Sequence, residues 1–191
     1  MPLMEVYLCR HGATAWSVSG QHTGRSDIPL TDEGRKEARR LKLLLGGETF
    51  SAVYSSPVKR AIETALLAGF PDPVLSNSLL EWDYGQYEGK TTAEIRKERP
   101  HWNVFDDGVI AGESLEQIER RAKLFLNSLK QHDGKVLLFS SGHISRILGV
   151  VWIGLPARAA KHFTLTTASL SILGFEHDYP SLIRWNVPAD M

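Results

Sequence analysis

A chain of 191 residues, 42% of them apolar, is near the size of a single domain and long enough to bury a full hydrophobic core without a metal or disulfide staple. Its 22 Lys and Arg balance 22 Asp and Glu with no block of like charge, which excludes a general pull toward nucleic acid or an acidic membrane. The single cysteine, Cys9, excludes an internal disulfide and points to a reducing compartment, with cytoplasm as the expected location. The start MPLMEVYLCRHG lacks the basic stretch and long apolar run of a secretory signal, and no apolar run approaches the ~20 residues that cross a bilayer.

Residues 6–9 are a short apolar run that stops at Arg10-His11-Gly12, as expected of a buried strand delivering polar groups at its carboxyl end. Residues 12–30 read as loop. Thr31 can cap a helix that opens on Asp32 and Glu33, carries basic residues in later turns, and stops at Gly46-Gly47. A second strand is expected at 51–54. Ser56-Pro57 then reads as a cap with proline in the first turn, starting a helix over 58–68. Val74-Leu75 is a third short strand, 78–89 a loop rich in Glu, Trp, Tyr and Gly, and 92–99 a short helix ended by Pro100. Ser114-Leu115-Glu116-Gln117 matches a capping box, and Ile118, Ala122, Phe125, Leu126 and Leu129 repeat at helical spacing on one face. A strand at 135–139 ends in Ser140-Ser141-Gly142-His143, a helix over 144–152 follows, and strands at 169–175 and 182–185 finish the chain.

This alternation predicts one α/β domain over residues 1–191, with a mostly parallel central sheet covered by helices on both faces in three α/β/α layers. In such folds ligands bind beyond the carboxyl ends of the strands, and two of those ends carry suitable polar sequences: Arg10-His11-Gly12 and Ser141-Gly142-His143. Gly12 would let the backbone approach a ligand closely, and an imidazole beside a guanidinium can attack an electrophile that brings negative charge with it. Phosphorus is the natural candidate, its equatorial oxygens gripped by arginine while a neutral nitrogen attacks in line. From these residues alone, a strand-end histidine satisfied by a carbonyl and a surface arginine is an equally open reading.

The wider strings narrow it. Leu8-Cys9-Arg10-His11-Gly12-Ala13-Thr14, Ser55-Ser56-Pro57-Val58-Lys59-Arg60-Ala61-Ile62-Glu63-Thr64-Ala65 and Leu80-Glu81-Trp82-Asp83-Tyr84-Gly85 occur in order, with Thr23-Gly24, Asp27, Pro29-Leu30-Thr31 and Gly34 between the first two. On these segments the chain resembles the phosphoglycerate mutase-like branch of the histidine phosphatase superfamily over nearly its whole length. The resemblance implies that His11 is a nucleophile forming a phosphohistidine, that Arg10 and Arg60 clamp the phosphoryl oxygens, and that Glu81 is the general acid. That last task calls for a carboxyl with a raised pKa, for which Trp82 and Tyr84 can supply desolvation. Substrate contacts are implied for Ser17, Thr23, Gly24, Tyr84, Ser141, Gly142 and His143.

One position departs from the pattern. Where the family has H-G-x-x-x-R, this chain reads Ser141-Gly142-His143-Ile144-Ser145-Arg146, so a serine stands in place of the second phosphate-binding histidine. His143 is two residues on, about 200° around a helix, and should face away from the lost imidazole's place unless the turn shifts. Serine can donate one hydrogen bond but no positive charge. A lost donor of this kind typically costs about 10² to 10³ in rate, so a slow enzyme is expected.

The resemblance implies a phosphatase for small phosphate monoesters, sugar phosphates or bisphosphates included. A low-activity phosphate-ester binding protein and a phosphoglycerate mutase are the alternatives, the mutase disfavoured by the short region from Lys90 to Gly112. The expected partner is a small-molecule phosphate ester, with no nucleic acid and no membrane; a homodimer is left open. No cofactor is expected. His22, His101, His132, His162 and His177 show no metal-ligand spacing, so no metal site is expected either, although His22 lies where it can rim the pocket.

Overall fold

A computed structural model describes residues 4–189. Strand β1 (Glu5–Arg10) leads to a short helix α1 (Ala15–Ser19) and then α2 (Asp32–Leu44). Strand β2 (Ala52–Ser55), helix α3 (Lys59–Leu67) and the two-residue β3 (Val74–Leu75) follow. Helices α4 (Thr92–Glu98), α5 (Val104–Asp107) and α6 (Leu115–Leu129) precede β4 (Lys135–Ser140), α7 (Gly142–Trp152), β5 (Ser169–Glu176) and β6 (Tyr179–Pro188).

The six strands form one sheet in the order β3-β2-β4-β1-β5-β6. β1, β2, β3 and β4 run parallel, whereas β5 pairs antiparallel with both β1 and β6, so the sheet is mixed. The connection from β5 to β6 leaves only His177 and Asp178 between them, too short for a crossover, which forces a hairpin. Both faces are covered. Val6 and Leu8 of β1 pack with α6 and α7 in one cluster, while Tyr7 and Cys9 pack with Leu41 and Ala65 on the other side. Burial on both faces is why β1 and β4 read as continuous apolar runs rather than alternating ones.

Three local readings are corrected. The stretch expected as loop contains α1, nucleated by Thr14: its hydroxyl accepts from the Ser17 amide and the Ser17 hydroxyl accepts from the Thr14 amide. Serine at that position makes the reciprocal box without the usual Glu or Gln. Ser56 does not cap α3; its hydroxyl is buried without a partner. The Lys59 amide instead donates to Asp27 Oδ1 at 2.9 Å, a cap from 32 residues away. Gly12 serves packing rather than ligand approach, since a Cβ there would lie 2.2 Å from the Gly34 carbonyl oxygen. By contrast, the capping box at Ser114 forms as read, and the five apolar residues singled out on α6 are its buried ones.

Candidate active site

Because β2, β4 and β1 are adjacent and parallel, their carboxyl ends converge, bringing together Arg10 and His11 after β1, Ser141 and Gly142 after β4, and Arg60 in the first turn of α3. The loop after residue 79 adds Glu81 and Tyr84. The resulting cleft, about 180 Å³, is lined by Arg10, His11, Ser17, Thr23, Glu81, Tyr84, Gly142 and His143 from the expected set, and also by Gln21, His22 and Arg146. A larger, mainly apolar cleft of about 580 Å³ includes Met4 and Trp152, at the opposite end of the sheet, and holds none of these groups.

His11 is 4% exposed, and two contacts set its protonation. Nδ1 lies 2.8 Å from the Gly12 carbonyl oxygen, which can only accept, so Nδ1 carries the proton. Nε2 accepts from Arg60 Nε at 3.2 Å, which requires a bare lone pair. Burial, then the nearby charges of Arg60 and Arg10, push His11 well below the usual imidazole range. The neutral ring therefore presents a nucleophilic Nε2 beside two cations.

Arg60 is fully buried, its Nη1 donating to the Ser26 carbonyl at 2.8 Å and its Nη2 to those of Gly24 and Thr23 at 3.0 and 3.2 Å. Gly24 thus holds Arg60 rather than lining the cleft, and its own amide is tied to Glu88 at 2.9 Å. Arg10 donates through Nη1 to the Leu165 carbonyl, while its Nε is buried with no partner. An unpaired buried guanidinium donor beside a nucleophile is a place for an anion's oxygen.

Glu81, 4% exposed, accepts from the amides of His143 and Ile144, both at 2.8 Å, and of Trp82 at 2.9 Å. It therefore caps α7 from 62 and 63 residues upstream of those two amides, a role Ser141 at the N-cap position does not fill. The Ser141 hydroxyl sits instead 3.5 Å from Arg60 Nη2, and Ser141 is not among the residues that line the cleft. Ser17, although it lines the cleft, has its hydroxyl engaged with the Thr14 amide and carbonyl at 2.8 and 2.9 Å. The Thr23 hydroxyl donates to the Gln21 carbonyl at 3.1 Å. His143 faces Tyr84, Trp82 and Phe105, away from Arg60, as its helical offset requires.

His22 lines the cleft where the sequence placed it at the rim, whereas Arg146, the arginine of the H-G-x-x-x-R pattern, was assigned no role from sequence. Arg146 stacks over Phe105 at 4.9 Å and donates through Nε and Nη2 to the Ala160 carbonyl. Burial holds the His22 imidazole down at about 4. An unfolded histidine titrates near ~6.5, so between these values the unfolded chain binds a proton that the folded one refuses, and stability falls as pH falls through the window. From pH 7 to 5 this group is expected to cost about 2 kcal/mol. Chemical denaturation at both pH values checks it: His22→Gln should lose less stability on acidification than the parent, and an equal loss would contradict the assignment.

No group of three or more His, Cys, Asp or Glu among the described residues is arranged to hold a metal ion, and no helix is long and apolar enough to cross a membrane.

A family model described as histidine phosphatase superfamily (branch 1) matches residues 6–188. The chain is 43% identical over 176 residues to an acid phosphatase of Mycobacterium tuberculosis (strain ATCC 25618 / H37Rv), covering 89% of this chain and 86% of that one. It is 32% identical over 182 residues to the sedoheptulose 1,7-bisphosphatase of Saccharomyces cerevisiae (strain ATCC 204508 / S288c), covering 78% and 67%. A solved structure of an open reading frame product from Mycobacterium tuberculosis superposes with a TM-score of 0.94 at 40% identity, over 97% of this chain and 98% of that one. With the model spanning nearly the whole chain and the relatives sharing its fold, the protein belongs to the histidine phosphatase superfamily.

Proposed function

We propose that the protein is a metal-independent, cytoplasmic phosphatase that hydrolyses small phosphate monoesters through a phosphohistidine on His11. The observation that carries this reading is the His11 Nε2 lone pair, left by a protonated Nδ1 and facing Arg60, in a cleft that Arg10, with its unpaired buried Nε, also lines. A phosphoryl group placed there receives positive charge from both arginines, which leaves no charge role for a metal. The cleft's volume suits a small ester. The names of the relatives, an acid phosphatase and a bisphosphatase, support hydrolysis.

In the first step Nε2 bonds to phosphorus as the ester P–O bond breaks, and Glu81 gives a proton to the departing alkoxide from Oε2, which accepts one amide hydrogen bond where Oε1 accepts two. In the second, water attacks the phosphohistidine, Glu81 takes its proton, the N–P bond breaks and orthophosphate leaves. The test is single-turnover incubation with a chelator-treated enzyme and an aryl phosphate, followed by detection of acid-labile phosphate and mass analysis. Phosphate should appear on His11 in the parent and be absent in His11→Ala, with turnover lost. Undiminished hydrolysis by His11→Ala would overturn the mechanism. Ser141 favours one second reading, an inactive phosphate-ester binding protein; it predicts bound orthophosphate with neither phosphoenzyme nor product.

A further inference from the structure

Two imidazoles in the cleft, His22 and His143, have no part in the phosphoryl chemistry proposed above. Their ring centroids are 6.0 Å apart, and both stand against the buried Tyr84 ring, at 4.8 and 5.7 Å. His143 Nδ1 lies 2.5 Å from the Tyr84 hydroxyl. Tyr84 is 1% exposed, and its burial keeps the phenol protonated, well above its ordinary titration range. Among the described residues, the His143 ring is the hydroxyl's sole hydrogen-bond partner, so the phenolic proton has one place to go. Tyr84 therefore donates to Nδ1, and neutral His143 carries its own proton on Nε2.

That Nε2–H has no partner among the described residues, yet is not among the sealed, unsatisfied polar atoms; it reaches solvent where His143 lines the cleft. His22 adds a second polar edge: its Nε2 is 3.4 Å from the Thr92 hydroxyl and its Nδ1 is uncommitted. Both rings are neutral, so they suit groups that accept and donate hydrogen bonds without charge. Arg146, which also lines the cleft, turns Nε and Nη2 to the Ala160 carbonyl.

We propose that His143, with its tautomer set by Tyr84, is a specificity-determining residue whose Nε2–H binds a hydroxyl on the leaving group, so that the site selects phosphate esters of polyhydroxylated alcohols. The proposal rests on the phosphatase reading and names its substrate class. A site with a committed donor discriminates against the analogue that lacks the matching hydroxyl. Tyr84 acts as a positioning residue: without its hydroxyl, Nδ1 competes for the proton and the donor toward the cleft is no longer assured.

The experiment uses glycerol 3-phosphate and n-propyl phosphate, alike in carbon skeleton and differing by two hydroxyls. Parent, His143→Leu, His143→Gln and Tyr84→Phe are compared by kcat and KM and, independently, by calorimetric binding to the His11→Ala background. The parent should favour the glycerol ester in kcat/KM and in Kd by about tenfold, the scale of one good hydrogen bond. His143→Leu should abolish that preference and Tyr84→Phe reduce it, both mainly through KM. His143→Gln, which restores an N–H near the same place, should recover part of it. Equal treatment of the two esters by the parent, or an unchanged preference in both His143→Leu and Tyr84→Phe, would overturn the proposal. If no ester is turned over, the phosphatase reading fails, while the calorimetric ratio still decides whether His143 reads a hydroxyl.

Discussion

Ser141→His is expected to raise turnover of an aryl phosphate by about 10²- to 10³-fold, the usual worth of one donor aimed at transition-state charge. The serine stands at the N-cap of α7, 1% exposed, with its hydroxyl 3.5 Å from Arg60 Nη2. The side chain there stands beside Arg60, which would hold a phosphoryl oxygen, yet it brings no charge. The substitution does not strip the helix of a cap, because Ser141 makes no capping bond and Glu81 already accepts from the amides of His143 and Ile144. An imidazole from the same backbone position adds an N–H donor that becomes cationic beside the phosphoryl dianion. Steady-state rates of parent and variant check this. An unchanged rate would show that Ser141 does not limit the reaction and would strengthen the binding-protein reading.

The second large effect is on Arg60. Arg60→Ala should lower affinity for orthophosphate or vanadate by at least about 10²-fold and turnover by about 10³-fold or more, since charge-assisted contacts in a dry site are the strong ones. It should also destabilise the fold by about 2–3 kcal/mol, because the carbonyls of Thr23, Gly24 and Ser26 lose their common donor. Calorimetric anion binding and denaturant melts measure both. Arg60→Lys separates the contributions: it keeps a charge but cannot reach three carbonyls and His11 at once, so affinity should fall between that of the parent and of the alanine variant. Anion affinity retained in Arg60→Ala would remove Arg60 from the site.

Much of this architecture was legible in the residues. The apolar runs of β1 and β4, the capping box and one-sided periodicity of α6, and Thr31 as the cap of α2 rest on local physics: unbroken apolar runs, helical spacing and a side chain reaching an amide three residues on. The convergence of Arg10, His11, Glu81 and Tyr84 on one cleft, with Arg60 buried behind it against His11, was likewise anticipated, because parallel strand ends collect the polar segments that follow them. The readings that failed share a cause. Ser56 was taken as a cap because it precedes a helix, but Asp27 reaches the same amide from across the fold. Gly12 was read as room for a ligand, when its neighbour is the backbone of Gly34. Gly24 was read as a substrate contact, when its carbonyl holds Arg60.

The sequence by itself determined the layered α/β plan and the inventory of the site, since both depend on which residue types stand at which spacing along the chain. Only the tertiary structure decided the protonation pattern that turns the inventory into chemistry. The bare Nε2 of His11 exists because Gly12 and Arg60 claim opposite edges of one ring. The outward Nε2–H of His143 follows from a phenol 59 residues upstream with nowhere else to donate. A hydrogen bond selects a tautomer only once folding has fixed both partners and removed the competing water, whether the partner is the next residue, as Gly12 is to His11, or lies far along the chain, as Tyr84 does from His143.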